Sequence, residues 1–235
     1  MQELRERLLD TTPQICVERA RLVTNAYRAH QADPPVLRRA KALAHVLDSM
    51  TIFIDEGEFI VGNQASSSRA APIFPEYSTD WIEEEIDQFA HRPADAFTIH
   101  PEVKDELLNE ILPYWRGKTL YDRVLATLPE VVRQAEDIGA ITGRGYTTCG
   151  DGHIIVDFPT ILHRGLEAVI EDAQEALRSV SPYDANELEK RPFLQAVTIT
   201  CQAAIRFAAR YAEEAERQAA GTAHSIRSAE LEHIA

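Results

Sequence analysis

Residues 139–165, GAITGRGYTTCGDGHIIVDFPTILHRG, carry six of the ten glycines in a chain of 235 residues. Glycine at this density lets the backbone take positive φ and come close to another group, which few surface loops need. Cys149, Asp151, Asp157, His153 and His163 lie among these glycines, and the flanking sequence has helical periodicity. The stretch therefore reads as a shaped loop on a helical scaffold, a common setting for a site.

The chain is 45% apolar and 26% charged, ordinary for a globular protein, and long enough to bury a sizeable core. No apolar run is long enough to span a bilayer, and MQELRERLLD has no signal-peptide core. A net charge of −14 repels phosphate backbones, so nucleic acid is not an expected partner. Cys16, Cys149 and Cys201 form no CxxC pair, which fits a reducing cytoplasm and argues against structural zinc. The histidines show no metal-ligand spacing, so no metal site is expected.

Thr12-Pro13 reads as a helix start, with Ile15, Leu22, Val23, Ala26 and Tyr27 following at helical spacing. Asp33-Pro34 starts a second helix with a stripe of Val36, Leu37, Ala40, Leu43, Ala44 and Leu47. EFIVGN (58–63) has strand composition, and 66–79 reads as a proline-bearing loop in which Arg69 can pair with Glu76. A short acidic helix puts Trp81, Ile82, Ile86 and Phe89 on one face, leaving Glu83, Glu84 and Glu85 solvated. Pro101 opens a helix that Pro113 ends, and another runs from about 118 to 138 with a kink at Pro129. Asp157 caps a helix whose Ile161, Leu162, Leu166, Val169, Ile170 and Ala173 face inward. A helix over 192–219 buries Val197, Cys201, Ala204, Ile205, Ala208 and Tyr211. SAELEHIA (228–235) reads as the first turns of an interrupted helix that leaves Leu231 and Ile234 as an apolar stripe.

ERARLVTNAY (18–27), EFIVGN (58–63), RAAPIFPEYSTDWI (69–82), PYWRGKT (113–119), GHIIVDF (152–158) and FAARYAEEA (207–215) together resemble the N-terminal part of the glycyl radical enzymes. This is the pyruvate formate-lyase-like family, and the likeness is to its glycerol, diol and hydroxyproline dehydratase branch. The resemblance implies an α-rich α/β fold: the N-terminal helical layer and first strands of a ten-stranded barrel, truncated, with 1–235 an incomplete portion of the pyruvate formate-lyase-like domain. In such enzymes a radical SAM activase installs a glycyl radical near the C-terminus, and a mid-chain cysteine becomes a thiyl radical. This sequence has neither stretch: GCxE is absent, and Arg144-Gly145-Tyr146 lacks the spacing of the radical-glycine segment. No catalytic residue and no cofactor bound by this chain are therefore expected.

The resemblance also implies a cytoplasmic enzyme of anaerobic metabolism, homodimeric when complete, that cleaves or dehydrates a small polar substrate. By the Gly152-His153 match, the loop reaches the barrel interior. His153 is a candidate for hydrogen-bonding a substrate hydroxyl, or else orients the loop backbone. Asp151, as an acceptor for a substrate hydroxyl or ammonium, and Cys149 and Tyr146 are candidate substrate-binding residues beside it. Asp151 alternatively serves as a turn acid, and Cys149 as a small wall residue. Function divides into a partial lyase chain that is inactive alone and a helical module that pairs with a separately encoded remainder of the barrel. An independent enzyme using Cys149 with His153 lacks a third group to orient the pair.

Overall fold

A computed structural model describes residues 2–141 and 154–235. Two compact units divide the chain: one holds Leu22–Ser68, Val156–Ala235 and the N-terminal helix, the other Thr12–Arg21 and Arg69–Ile155. Helices dominate both. The first elements are α1 (Gln2–Asp10), β1 (Gln14–Cys16), α2 (Glu18–Ala29), α3 (Pro35–Ser49), β2 (Ala70–Pro72) and α4 (Asp80–Glu85). They are followed by α5 (Pro101–Glu106), α6 (Leu112–Trp115), α7 (Leu120–Thr127), α8 (Glu130–Asp137), α9 (Phe158–Ser179), α10 (Ala185–Leu188), α11 (Arg191–Gly221) and α12 (Ser225–Ile234).

In the Thr12–Arg21/Arg69–Ile155 unit, Thr12-Pro13 does not start a helix. Ile15 belongs to β1, which pairs in parallel with β2 in the register Gln14↔Ala70, Ile15↔Ala71, Cys16↔Pro72. Thr98 takes the other side: its N–H donates to Pro13 O and its carbonyl accepts from Ile15 N–H, both at 2.9 Å. These non-local bonds occupy the backbone that a helix would need, and burying Ile15 and Cys16 stabilises the pairing. The 66–79 loop is thus interrupted by β2. Glu76 is held by Arg19, through two guanidinium nitrogens at 2.5 and 3.2 Å, in place of the expected Arg69. The same guanidinium lies 3.8 Å over the Phe74 ring centroid.

Of the expected face, Ile82, Ile86 and Phe89 are buried and Trp81 is half-buried. However, α4 ends at Glu85, and Phe89 lies in a separate 3-10 turn at Phe89–His91. Glu83 and Glu85 are not merely solvated, since they pair with Arg116 and Arg92. Pro113 does not stop its helix: a π-helical turn at Leu107–Ile111 joins α5 to α6, which contains Pro113. The wider turn relieves the conflict between a proline ring and the regular i→i−4 ladder. The expected helix over 118–138 is two helices. α7 begins with a capping box between Thr119 and Asp122, and Pro129 occupies the N-cap of α8.

In the other unit α11 packs against α3, α9 and α12. Its deepest residues are Ala196, Ala203, Tyr211, Ala215 and Ala219, whereas Ala208 is exposed and Cys201 half-buried. A helix contacted by three neighbours has no single inward stripe, and alanines mark where backbones approach. α3 follows the same rule: Ala40, Ala42, Ala44 and Val46 are buried while Val36 and Leu43 are exposed. In α9, Leu162 is likewise exposed and Ala173 buried.

EFIVGN forms no strand. Side chains instead satisfy the backbone of the segment that contains it. Arg210 donates to Leu47 O and Met50 O, Gln218 to Ile54 O at 3.3 Å, and Arg227 to Asp55 O at 3.0 Å and Glu58 O at 2.8 Å. The Tyr211 hydroxyl accepts from Asn63 N–H. Leu231 is also no exposed stripe: it is 1% exposed, in a cluster with Ile54, Tyr211, Ala215 and Ala219, and Ile234 packs against that cluster.

Candidate functional site

The four residues that the sequence marks for substrate contact, His153, Asp151, Cys149 and Tyr146, lie outside the described residues, as does Arg144-Gly145-Tyr146. Both flanks of the loop are described. On the N-terminal side α8 closes in a Schellman motif: Gly139 has φ 71°, its N–H donates to Glu136 O at 2.8 Å, and Ala140 N–H donates to Ala135 O at 2.8 Å. This satisfies the last carbonyls of α8, so the helix ends where the glycine-rich stretch begins.

On the C-terminal side Ile154 and Ile155 are each 90% exposed, with Val156, Phe158 and Leu162 exposed as well. Asp157 caps α9 as expected, accepting from Thr160 N–H at 3.2 Å and Thr160 Oγ1 at 2.7 Å. Those bonds, the hydroxyl's first, hold its carboxyl below the usual range. Inside α9 the chain breaks at Gly165, whose φ 74° and ψ 169° are open to glycine alone among common residues. Arg164 reaches across the break to Asp172 at 2.8 Å. Residues 154–164 thus form an apolar arm set off from the rest of α9 by a glycine joint.

The described cysteines do not fit a radical or nucleophilic role. Cys16 is buried in β1, and burial pushes the Cys201 thiol up. No group of three or more His, Cys, Asp or Glu suited to a metal exists among the described residues. No described helix is long and apolar enough to cross a membrane. Sequence reading missed a cleft of about 550 Å³ lined by Pro13, by Arg69 to Ala71 and by Pro93 to Phe97. Its walls come from segments far apart in sequence, and none carries a motif.

The family model "Pyruvate formate lyase-like" matches residues 1–235. The chain belongs to the pyruvate formate lyase-like family. It is 39% identical to "Probable dehydratase YbiW" of Escherichia coli (strain K12), over 93% of this chain and 27% of that protein. It is 34% identical to an isethionate sulfite-lyase of Oleidesulfovibrio alaskensis, over 95% and 28% respectively. The solved glycerol-bound form of the B12-independent glycerol dehydratase from Clostridium butyricum matches with TM-score 0.94 and 35% identity, over 99% of this chain and 30% of that one. The chain thus spans somewhat under a third of the length of these relatives.

Proposed function

We propose that this chain supplies the N-terminal helical layer and first strands of a ten-stranded glycyl-radical barrel, the complete enzyme being a radical dehydratase or lyase for a small polar metabolite. The observation that carries this reading is the match of nearly the whole chain to part of a glycerol dehydratase. Dehydratase and sulfite-lyase relatives support radical elimination as the reaction class. In the complete enzyme the radical pair, a glycyl radical and a cysteine-derived thiyl, would supply hydrogen abstraction. Cys16, buried in β1, and Cys201, whose thiol burial pushes up, do not fit the thiyl role. A radical SAM activase, a homodimer and a cytoplasmic setting accompany this reading.

What this chain contributes is wall and one pocket loop. Residues 143–153 would line the cavity, with His153 holding a substrate hydroxyl and Asp151, Cys149 and Tyr146 around it. The exposed arm at 154–158, rich in Ile, Val and Phe, is suited to pair as a barrel strand once the remainder is present. The same arm supports a second reading, in which a separately encoded remainder pairs with this chain. Co-expression with such a remainder would then restore activity.

The test is His153→Ala in the complete or reconstituted enzyme. Leaving a substrate hydroxyl unpaired should cost on the order of 1–3 kcal/mol, about five- to 150-fold in kcat/KM, with the fold intact. His153→Gln should recover part of it. Unchanged kinetics would remove the contact, and loss of folding would assign His153 to the loop backbone.

A further inference from the structure

Among the described residues, the two non-glycine residues with positive φ are Arg69 (54°) and Asp95 (52°), and both line the cleft of about 550 Å³ in the Thr12–Arg21/Arg69–Ile155 unit. The left-handed region is unfavourable for a residue with a Cβ, though aspartate enters it more readily than arginine. Strained residues of this kind gather at ligand sites, because the surrounding structure must over-determine them. Here the surroundings do so. Arg69 O accepts from Gln14 N–H at 3.2 Å at the start of the parallel pair, and Phe97 N–H donates to Phe89 O at 3.0 Å just after Asp95.

The two side chains carry opposite charges, yet no ion pair joins them. Asp95 has no partner among the described residues. The guanidinium has five donors, so it can take a carboxylate in addition to its protein contact. The other described lining residues are Pro13, Ala70, Ala71, Pro93, Ala94 and Ala96, whose side chains are short, and Phe97, which is large and apolar. The volume is in the range of small-molecule sites.

We propose that this cleft binds a small zwitterion, its carboxylate on Arg69 and its ammonium on Asp95. It is independent of the function proposed above. A bare anion would meet Arg69 but be repelled by Asp95, and a bare cation the reverse. A molecule bearing both charges satisfies both.

The test is NMR titration of the ¹⁵N-labelled chain with β-alanine, with acetate, and with ethylammonium. β-Alanine should shift the amides of Ala70, Ala71, Ala94 and Ala96 saturably, while acetate and ethylammonium each bind at least about tenfold more weakly. Arg69→Gln and Asp95→Asn should each weaken β-alanine by about tenfold or more. Arg69→Gly removes the whole side chain while relieving the left-handed backbone, and an unchanged thermal midpoint in that variant shows that binding lost there is not a folding effect. Equal affinity for acetate and β-alanine would mean an anion site and would overturn the proposal. So would the absence of a saturable shift by tens of millimolar, or unchanged binding in either charge variant.

Discussion

The Tyr211 hydroxyl accepts the backbone N–H of Asn63 at 3.0 Å, joining α11 to the last residue of EFIVGN. Tyr211 is 4% exposed, and its ring packs edge-on against Phe207. Tyr211→Phe removes the acceptor while keeping the packing, so a part-buried N–H is left unpaired. The expected loss is about 1–3 kcal/mol of stability, seen as a lower urea midpoint at constant m-value. An unchanged midpoint would mean that water replaces the hydroxyl at no cost.

Gly165→Ala should destabilise the chain by about 1–3 kcal/mol, because φ 74° with ψ 169° is a glycine conformation. A Cβ built there meets nothing within 4 Å, so the penalty is conformational rather than steric. Thermal unfolding monitored by circular dichroism reads it directly. A stabilised variant would show that the break straightens without loss and that the joint is not required.

Asp157 gives the start of α9 a pH dependence of defined sign. Its folded pKa is depressed by the Thr160 bonds, so the cap's contribution is fully present above the unfolded value near ~3.9 and is lost as pH falls through the folded pKa. Hydrogen exchange at Thr160 N–H should accelerate, relative to the middle of α9, as pH drops below about 4. Asp157→Asn keeps a capping oxygen that does not titrate and should abolish this acid effect. An equal acid response in Asp157→Asn would assign it to another group.

The arm at 154–158 makes the isolated chain prone to self-association. Ile154 and Ile155, each 90% exposed, adjoin exposed Val156 and Phe158, an apolar run that monomeric surfaces rarely leave uncovered. Sedimentation velocity should show concentration-dependent oligomers together with hydrophobic-dye binding. Ile154→Ser combined with Ile155→Ser should reduce both. A sharp monomer that binds no dye would instead describe a self-sufficient domain.

Sequence alone determined the features that depend on near neighbours. Asp157 reads as a cap because its side chain meets an N–H three residues on, whereas Pro129, read as a kink in one helix, separates two. The burial of Ile82 and Ile86 follows from helical spacing, four residues apart on α4 and its C-cap. Family membership was carried by RAAPIFPEY and PYWRGKT, strings long enough to be read without any structure. What only the tertiary structure decided depends on partners distant in the chain. Thr98 and Ala71 turn Ile15 into a strand residue, although its local signals favour a helix. EFIVGN has strand composition, but Arg227 donates to its Glu58 carbonyl and the Tyr211 hydroxyl accepts from its Asn63 N–H, with no strand beside it among the described residues. Arg19 rather than Arg69 holds Glu76, and Leu231 is buried by α11, for the same physical reason. Backbone groups and apolar side chains take whichever partner the packed chain brings within reach, and that choice is not local.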